Sequence, residues 1–386
     1  MLAYTFYEND GRVMRYAETL AQEGAEVEAI SLKREAQPSQ ETINGVRVLR
    51  IQSRVKDELG RYNYLSRVLK FFVRSMLEVT RRHLRDPYDL IHVHSVPDFE
   101  VFAALIPKLT GARIILDIHD IVPEFYAAKF GVNHKSLVFK SLKVVEKLSA
   151  AFADHVIIAN DLWLQKVTSR SVKHEKCSAF INYPDLSVFT PSLRTRIRDE
   201  RFIIVYPGTL NWHQGLDVAI KALALASRDA PRMELHIYGE GSAKPALRML
   251  IEELQLEARV QLKPPVPLRE IASIMANSDL GVVPKRNDSF GGEAFSTKIL
   301  EFMALGIPVV VADTRIDKYY FDSSLVRFFR AGDERDLARA MVNAYTDRAL
   351  SDRLASKAIK YAGMNSWGKK SGDYLAIVDR LVHKVG

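Results

Sequence analysis

At 386 residues, with 47% hydrophobic and 26% charged residues and a formal net charge of +8, the chain has an ordinary globular composition and enough length for two domains. A single cysteine, Cys177, excludes an internal disulfide and fits a reducing cytosol. No apolar run approaches 18 residues, which excludes a spanning helix, and Met1 to Tyr7 lacks the basic lead of a secretory signal.

In chain order, Leu2 to Phe6 predicts a strand and Gly11 to Glu23 a helix, with Asp10-Gly11-Arg12 between them, where a glycine lets backbone approach a phosphate closely. Val27 to Ser31 and Val46 to Ile51 predict strands. From Arg50 to Arg85 ten Lys/Arg stand against three acids, so an excess of seven charges sits in one early segment. Its predicted helix, Leu65 to His83, and the residues before it interleave the cations with Tyr62, Tyr64, Leu65, Leu69, Phe71 and Phe72. That composition suits a basic amphipathic helix lying on an anionic leaflet, and equally a solvated helix whose aromatics face the domain core. No zinc-finger, RNA-recognition or basic-zipper pattern accompanies the charge, so nucleic acid is not the expected partner.

Leu90 to His94 and Arg113 to Ile118 predict buried, β-branched strands, with Glu100 to Leu109 helical between them. His155 to Ala159 is another strand, followed by a helix through Lys166. This β-α alternation predicts an α/β fold, a Rossmann-like parallel sheet covered on both faces. His92 and His94 point to one face of their strand, but no Cys/His/Asp partner stands at zinc-like spacing, so structural roles are expected and no metal. Asp117-Ile118-His119-Asp120 closes a buried strand and opens a loop, where such folds place functional groups. This makes His119 a candidate, with Asp120 and Glu124 as acceptor contacts or loop supports.

Asn182 to Arg201, with Pro184 and Pro191, predicts an interdomain linker. The pattern then restarts with strands at Phe202 to Tyr206, Glu234 to Tyr238, Val260 to Leu262, Leu280 to Val283 and Pro308 to Ala312, and helices at Leu216 to Ala226, Ala243 to Leu254, Arg269 to Met275 and Glu293 to Glu301. Two doubly wound halves of this kind are expected to present the carboxyl ends of their strands to a shared cleft. Gly239-Glu240-Gly241 lacks the third glycine of a dinucleotide fingerprint and predicts a tight turn.

The most informative stretch is Phe290-Gly-Gly-Glu293-Ala-Phe-Ser-Thr-Lys298-Ile-Leu-Glu301, two carboxylates eight positions apart across a Gly-rich turn. Fully helical from Glu293, it would hold them about 12 Å apart with nearly aligned azimuths, roughly the span of a sugar plus a diphosphate. Between them the amides of Gly291, Gly292, Ala294, Phe295 and Ser296 form a helix start suited to an anion.

The stretch resembles the E-x7-E signature of retaining glycosyltransferases of family 4, bacterial cell-surface polysaccharide type. The resemblance runs from the Gly11 turn through His119 to Glu301-Phe-Met-Ala-Leu-Gly-Ile-Pro-Val-Val. It implies a GT-B fold of two Rossmann-like domains: residues 1–185 for the acceptor, a linker at 186–201, 202–368 for the nucleotide sugar, and a C-terminal helix, 369–386, packing back toward the first domain. It also implies that Glu293 holds donor-sugar hydroxyls, Glu301 the ribose, and His119 a donor hydroxyl as the glycosidic bond opens, with the Gly11 turn over the diphosphate. Many members carry an arginine and a lysine in the stretch that reads Gly208-Thr209-Leu-Asn-Trp-His-Gln214-Gly215 here. Thr209 and Gln214 stand in their place, so Lys298 first and Arg286 second, beside Lys285, are expected to supply the missing charge.

The expectation is therefore a retaining sugar transfer from a nucleoside-diphosphate donor to a lipid-linked or polysaccharide acceptor. No cofactor and no metal are expected, since no D-x-D occurs. The enzyme is expected in the cytoplasm, peripheral on the inner membrane face through residues 54–85. A nucleotide-sugar 2-epimerase and a non-catalytic sugar-nucleotide binder are the alternatives.

Overall fold

The computed structural model describes residues 1–54, 61–95, 97–133, 135–197, 199–288 and 290–383, without the side chains of 61–64, 129 and 130. The basic segment thus falls partly outside the described residues, at 55–60. The chain divides into two compact units, Met1–Asn182 with Lys370–Gly386, and Tyr183–Lys369.

The first unit is built on strands β1 (Leu2–Ala3), β2 (Val27–Lys33), β3 (Gln40–Ile43), β4 (Val46–Ser53), β5 (Leu90–Ser95), β6 (Arg113–Ile118), β7 (His155–Ile158) and β8 (Cys177–Ala179). They form one sheet in the order β3-β4-β2-β1-β5-β6-β7-β8, parallel except for β3, which returns on β4 through the Asn44-Gly45 turn. Both turn residues have positive φ, as a two-residue hairpin requires. The helices are α1 (Gly11–Gln22), α2 (Arg61–His83), α3 (Leu105–Leu109), α4 (Val122–Phe130), α5 (Leu137–Phe152) and α6 (Asp161–Thr168). Right-handed crossovers put α1 on one face of the sheet and α2, α3 and α5 on the other, where the 3-10 segment Asp98–Ala104 packs against both α2 and α5. The predicted strand Leu2 to Phe6 is only two residues long. Asn9 N–H to Phe6 O and Asp10 N–H to Tyr7 O, 2.9 and 3.1 Å, curl the chain into a 3-10 turn before α1 begins.

The second unit has six parallel strands, β9 (Phe202–Pro207), β10 (Met233–Tyr238), β11 (Val260–Lys263), β12 (Leu280–Val283), β13 (Val309–Ala312) and β14 (Arg327–Phe329), in the order β11-β10-β9-β12-β13-β14. Helices α7 (Leu216–Ala226), α8 (Lys244–Glu253), α9 (Leu268–Ala276), α10 (Thr297–Ala304), α11 (Arg315–Tyr320), α12 (Glu334–Thr346) and α13 (Arg348–Met364) connect and cover them, while α14 (Trp367–Val382) belongs from Lys370 onward to the first unit. The central strands β12 and β13 are apolar on both faces and fully buried, as a doubly covered parallel sheet requires. Strand order reverses between β9 and β12, so the carboxyl ends of those two strands frame a switch-point crevice.

Gly281 in β12 lets α10 come close, because a Cβ there would lie 2.5 Å from the Phe302 ring. Gly281→Ala is expected to destabilise the protein by about 1–3 kcal/mol through overpacking, read as a lower denaturant midpoint at unchanged slope.

Candidate active site

In the second unit the Gly-rich segment is a turn, and α10 starts at Thr297, not at Glu293. The cause is Asp288, whose Oδ1 accepts from Phe290 N–H and Gly291 N–H at 3.0 and 2.6 Å and whose carbonyl accepts from Gly292 N–H at 2.9 Å. Phe290 O accepts from Glu293 and Ala294 N–H. The span of a continuous helix therefore does not describe the two glutamates. The amides of Gly291, Gly292 and Ala294 are satisfied inside the turn. Those of Phe295, Ser296, Thr297 and Lys298 have no protein acceptor among the described residues, and the buried Ser296 Oγ also lacks one.

Lys298, in the first turn of α10, reaches the carboxyl end of β9. Its Nζ lies 5.2 Å from the Tyr206 ring centroid and would be 2.9 Å from a Cβ on Gly208. Burial lowers its pKa, Glu301 opposes that shift, and Lys285 adds to it. Among the described residues it has no hydrogen bond and no ion-pair partner. Gly208 (φ +139°) and Gly239 (φ +156°) cross so closely that a Cβ on Gly239 would lie 1.8 Å from Gly208 O, which keeps the turn beneath the lysine tip free of side chains. Glu293 accepts from Arg315 Nη1 at 3.1 Å.

Four residues that the sequence singles out near this turn have partners of their own. Arg286 Nη2 donates to both Asp217 oxygens at 2.7 and 2.8 Å, and its guanidinium stacks 3.9 Å from the Trp212 ring centroid, so its charge is held against α7. Lys285 donates to Ala294 O at 2.6 Å and pairs with buried Asp317 at 3.0 Å, bracing the turn. Thr209 O and Gln214 Oε1 both accept from the Tyr206 hydroxyl, so the Gly208 loop is held by neutral groups.

In the first unit the focus is Asp117, fully buried near the end of β6. Arg12 Nε and Nη2 donate to its two oxygens at 2.7 and 2.8 Å, and Arg12 Nη1 donates to Phe180 O at 2.7 Å. His119 Nε2 lies 3.2 Å from Asp117 Oδ2 and 3.1 Å from His94 Nδ1, which is itself 3.2 Å from the same oxygen. Burial favours the neutral carboxyl, but Arg12 and then His119 hold Asp117 well below the usual carboxylate range. Burial also works against charge on His119, yet Asp117 outweighs it, so the imidazolium persists to higher pH than usual. His94 is pushed down to about 4, chiefly by burial. The His119 side chain is 22% exposed, so the charged end of a buried network reaches the surface of the unit.

Gly11 opens α1, but Asp10 Oδ1 already accepts from Arg12 and Val13 N–H at 3.2 and 3.1 Å, and the Arg12 side chain turns inward. The amides of Arg12 and Val13 and the Arg12 guanidinium are therefore committed within the unit, while the backbone at Gly11 itself stays open, with nothing within 4 Å of a Cβ placed there. Glu124 is also corrected as an acceptor contact: Arg170 clamps it at 2.5 and 2.9 Å together with buried Glu146. Asp120 adjoins His119, and its pKa is raised by burial against the opposing charge of His119. Arg12 and Asp117 are not legible as a pair in the sequence, being 105 positions apart; the LDIHD run is the cue to Asp117.

His92 and His94 stack at 4.2 Å, and Asp117 comes from the next strand, so the three gather possible ligand atoms within 4.8 Å of one another. The Arg12 fork on both Asp117 oxygens is a built-in cation that competes with a metal ion there.

Residues 193–361 match the family model "Glycosyl transferases group 1" and residues 11–182 the model "Glycosyl transferase 4-like domain". The chain is 25% identical to a D-inositol 3-phosphate glycosyltransferase of Thermomonospora curvata, covering 96% of this chain and 88% of that protein. A protein of the same name from Pseudarthrobacter chlorophenolicus is 26% identical over 96% and 90%. Among solved structures, sucrose-phosphate synthase of Thermosynechococcus elongatus superposes with a TM-score of 0.82 at 16% identity, covering 99% and 98% of the two chains. The Anabaena protein HepE, solved with UDP and glucose, gives 0.75 at 18% identity over 98% of each chain. WaaG, a glycosyltransferase involved in lipopolysaccharide biosynthesis, gives 0.71 at 17% over 97% and 99%. These likenesses establish the GT-B architecture of two Rossmann-like domains.

Proposed function

With its two halves matched by two glycosyl transferase domain models, the chain is a glycosyltransferase of the GT-B type, and we propose that it transfers a sugar, with retention, from a nucleoside-diphosphate donor to a lipid-linked acceptor. One observation carries the donor half: Lys298, which makes no salt bridge or hydrogen bond among the described residues, places a cation against the side-chain-free Gly208 turn, beside the open amides and the unsatisfied Ser296 hydroxyl at the start of α10. A diphosphate fits that set, since helix-start amides and a half-buried cation both favour an anion. Complexes of HepE with UDP-glucose and with UDP and glucose support a donor of that class.

In this reading a donor phosphate oxygen takes the acceptor proton on the face the sugar leaves. The protein stabilises the departing diphosphate through Lys298 and the Phe295 to Lys298 amides. Glu293 positions the sugar and Glu301 the ribose. Lys298 supplies the charge that a divalent cation would otherwise bring, so transfer is expected to persist in a chelator. The two transferase models favour transfer over epimerisation. The relatives named for D-inositol 3-phosphate suggest a small phosphorylated acceptor as a second reading. A lipid-linked one is favoured by the cationic α2, which exposes Leu65, Leu69, Val73 and Leu77, and by docking of the enzyme on the inner leaflet through that segment.

A thermal-shift panel of UDP-, GDP- and dTDP-sugars, followed by mass analysis with polyprenyl-diphosphate and D-inositol 3-phosphate acceptors, tests the reading. No shift with any donor, or donor binding without transfer to either acceptor, would defeat it. Glu293→Gln is expected to lower turnover about 10- to 100-fold, the worth of one charge-assisted hydrogen bond, with the fold intact by circular dichroism.

A further inference from the structure

We propose that α5 is a second membrane-contact helix, so that the first unit meets an anionic bilayer through α2 and α5 together; this rests on the leaflet docking assigned above to α2. The two helices lie on the same face of the sheet, both packed against the 3-10 segment Asp98–Ala104, with α3 against α2. Crossover helices run antiparallel to their strands, so the amino-terminal turns of both helices stand at the carboxyl edge of the sheet, the edge that carries His119.

The buried side of α5 is Phe139, Glu146, Ser149 and Ala150. Its outer side exposes Leu137 at 83%, Val138, Val144 and Leu148, with Lys140 and Lys147 also exposed. The outer side of α2 exposes Leu65, Leu69, Val73 and Leu77 at four-residue spacing, flanked by Lys70, Arg74 and Arg81. Packed against α2, α3 adds exposed Leu105, Ile106 and Leu109.

Charge selects the occupant. Across α2 and α5 there are two acids, Glu78, held by Arg81 and Arg82, and buried Glu146, held by Arg170. What remains outward is aliphatic and cationic, which complements a surface of anionic headgroups over hydrocarbon. A neutral apolar partner would not use the lysines.

The experiment is sedimentation of the full chain with vesicles of phosphatidylcholine alone or with about 30% phosphatidylglycerol, the latter approximating an anionic leaflet. A triple α5 variant (Leu137→Asp, Val144→Asp, Leu148→Asp) and a triple α2 variant (Leu69→Asp, Val73→Asp, Leu77→Asp) are compared with the parent. Each is expected to lower the fraction bound to anionic vesicles about tenfold or more. Should a triple variant melt early, Lys140→Glu with Lys147→Glu, confined to exposed positions, gives the same reading with a smaller fall.

An α5 variant that binds like the parent while the α2 variant is released overturns the inference and leaves the α2 docking standing. A parent that stays in solution with anionic vesicles overturns both. If the α5 variant converts a dimer to a monomer and leaves vesicle binding unchanged, the face belongs to a second copy and the inference is overturned.

Discussion

Lys298→Ala is expected to lower kcat/KM for the donor by about 10²- to 10³-fold, the usual cost of removing one group that meets charge as it develops in the transition state. The diphosphate gains negative charge as the glycosidic bond opens, so the loss should fall mainly on kcat, with a smaller rise in KM. No other cation approaches the Gly208 turn unpaired among the candidates, since Arg286 is held by Asp217 and Lys285 by Asp317. Stability should move the opposite way. The half-buried side chain makes no salt bridge among the described residues, and desolvation outweighs the opposing charge of Glu301 in lowering its pKa, so replacing it removes a desolvation cost and the melting temperature is expected to hold or rise. Because deprotonation becomes accessible below the usual lysine range, the parent should lose activity at alkaline pH earlier than an ordinary lysine allows, and the alanine variant should lack that limb. An unchanged kcat, or a fall accounted for wholly by KM, would remove Lys298 from the departing diphosphate.

What the amino-acid sequence reveals depends on how local the cause is. Strand Arg113–Ile118 is legible to the residue, because a β-branched run bounded by a turn needs no distant information. The Asn44-Gly45 hairpin is equally local, yet the strand Gln40–Ile43 is not legible, since its polar side chains hide the alternation that marks a strand. Helix α5 escaped for the complementary reason: Leu137, Val144 and Leu148 lie on its outer face, so the apolar residues do not fall on one stripe. At the candidate site, spacing marked Glu293, Lys298 and Glu301, but Asp288 set where the helix begins, a capping effect stronger than helical periodicity across two glycines. The commitments of Arg286 to Asp217, Glu124 to Arg170 and Arg12 to Asp117 span 69, 46 and 105 positions. Each cation looks available along the chain and is consumed by a partner that only the fold delivers.

Asp117→Asn is expected to act on stability and on His119 together, and the two effects can be separated by pH. Removing one carboxylate oxygen's charge leaves the Arg12 guanidinium buried against a neutral amide, a loss of about 3–5 kcal/mol by analogy with broken buried pairs. That part should not vary between pH 5.5 and 8.5, because Asp117 is held far below that window and Arg12 far above it. The His119 contribution should vary. Its folded pKa is raised, so the stabilisation from the imidazolium and Asp117 is fully present below the unfolded value of about 6.5 and fades as pH rises through the folded value. The melting-temperature gap between parent and variant is therefore expected to widen from pH 8.5 toward 5.5. With Asp117 neutral, burial and Arg12 both disfavour charge on His119, so the limb of the pH–rate profile that reports this histidine should shift to lower pH. A gap that is flat or narrows toward acid would mean that His119 does not draw its charge from Asp117. The residual network would then serve only to anchor Arg12 beneath the sheet edge.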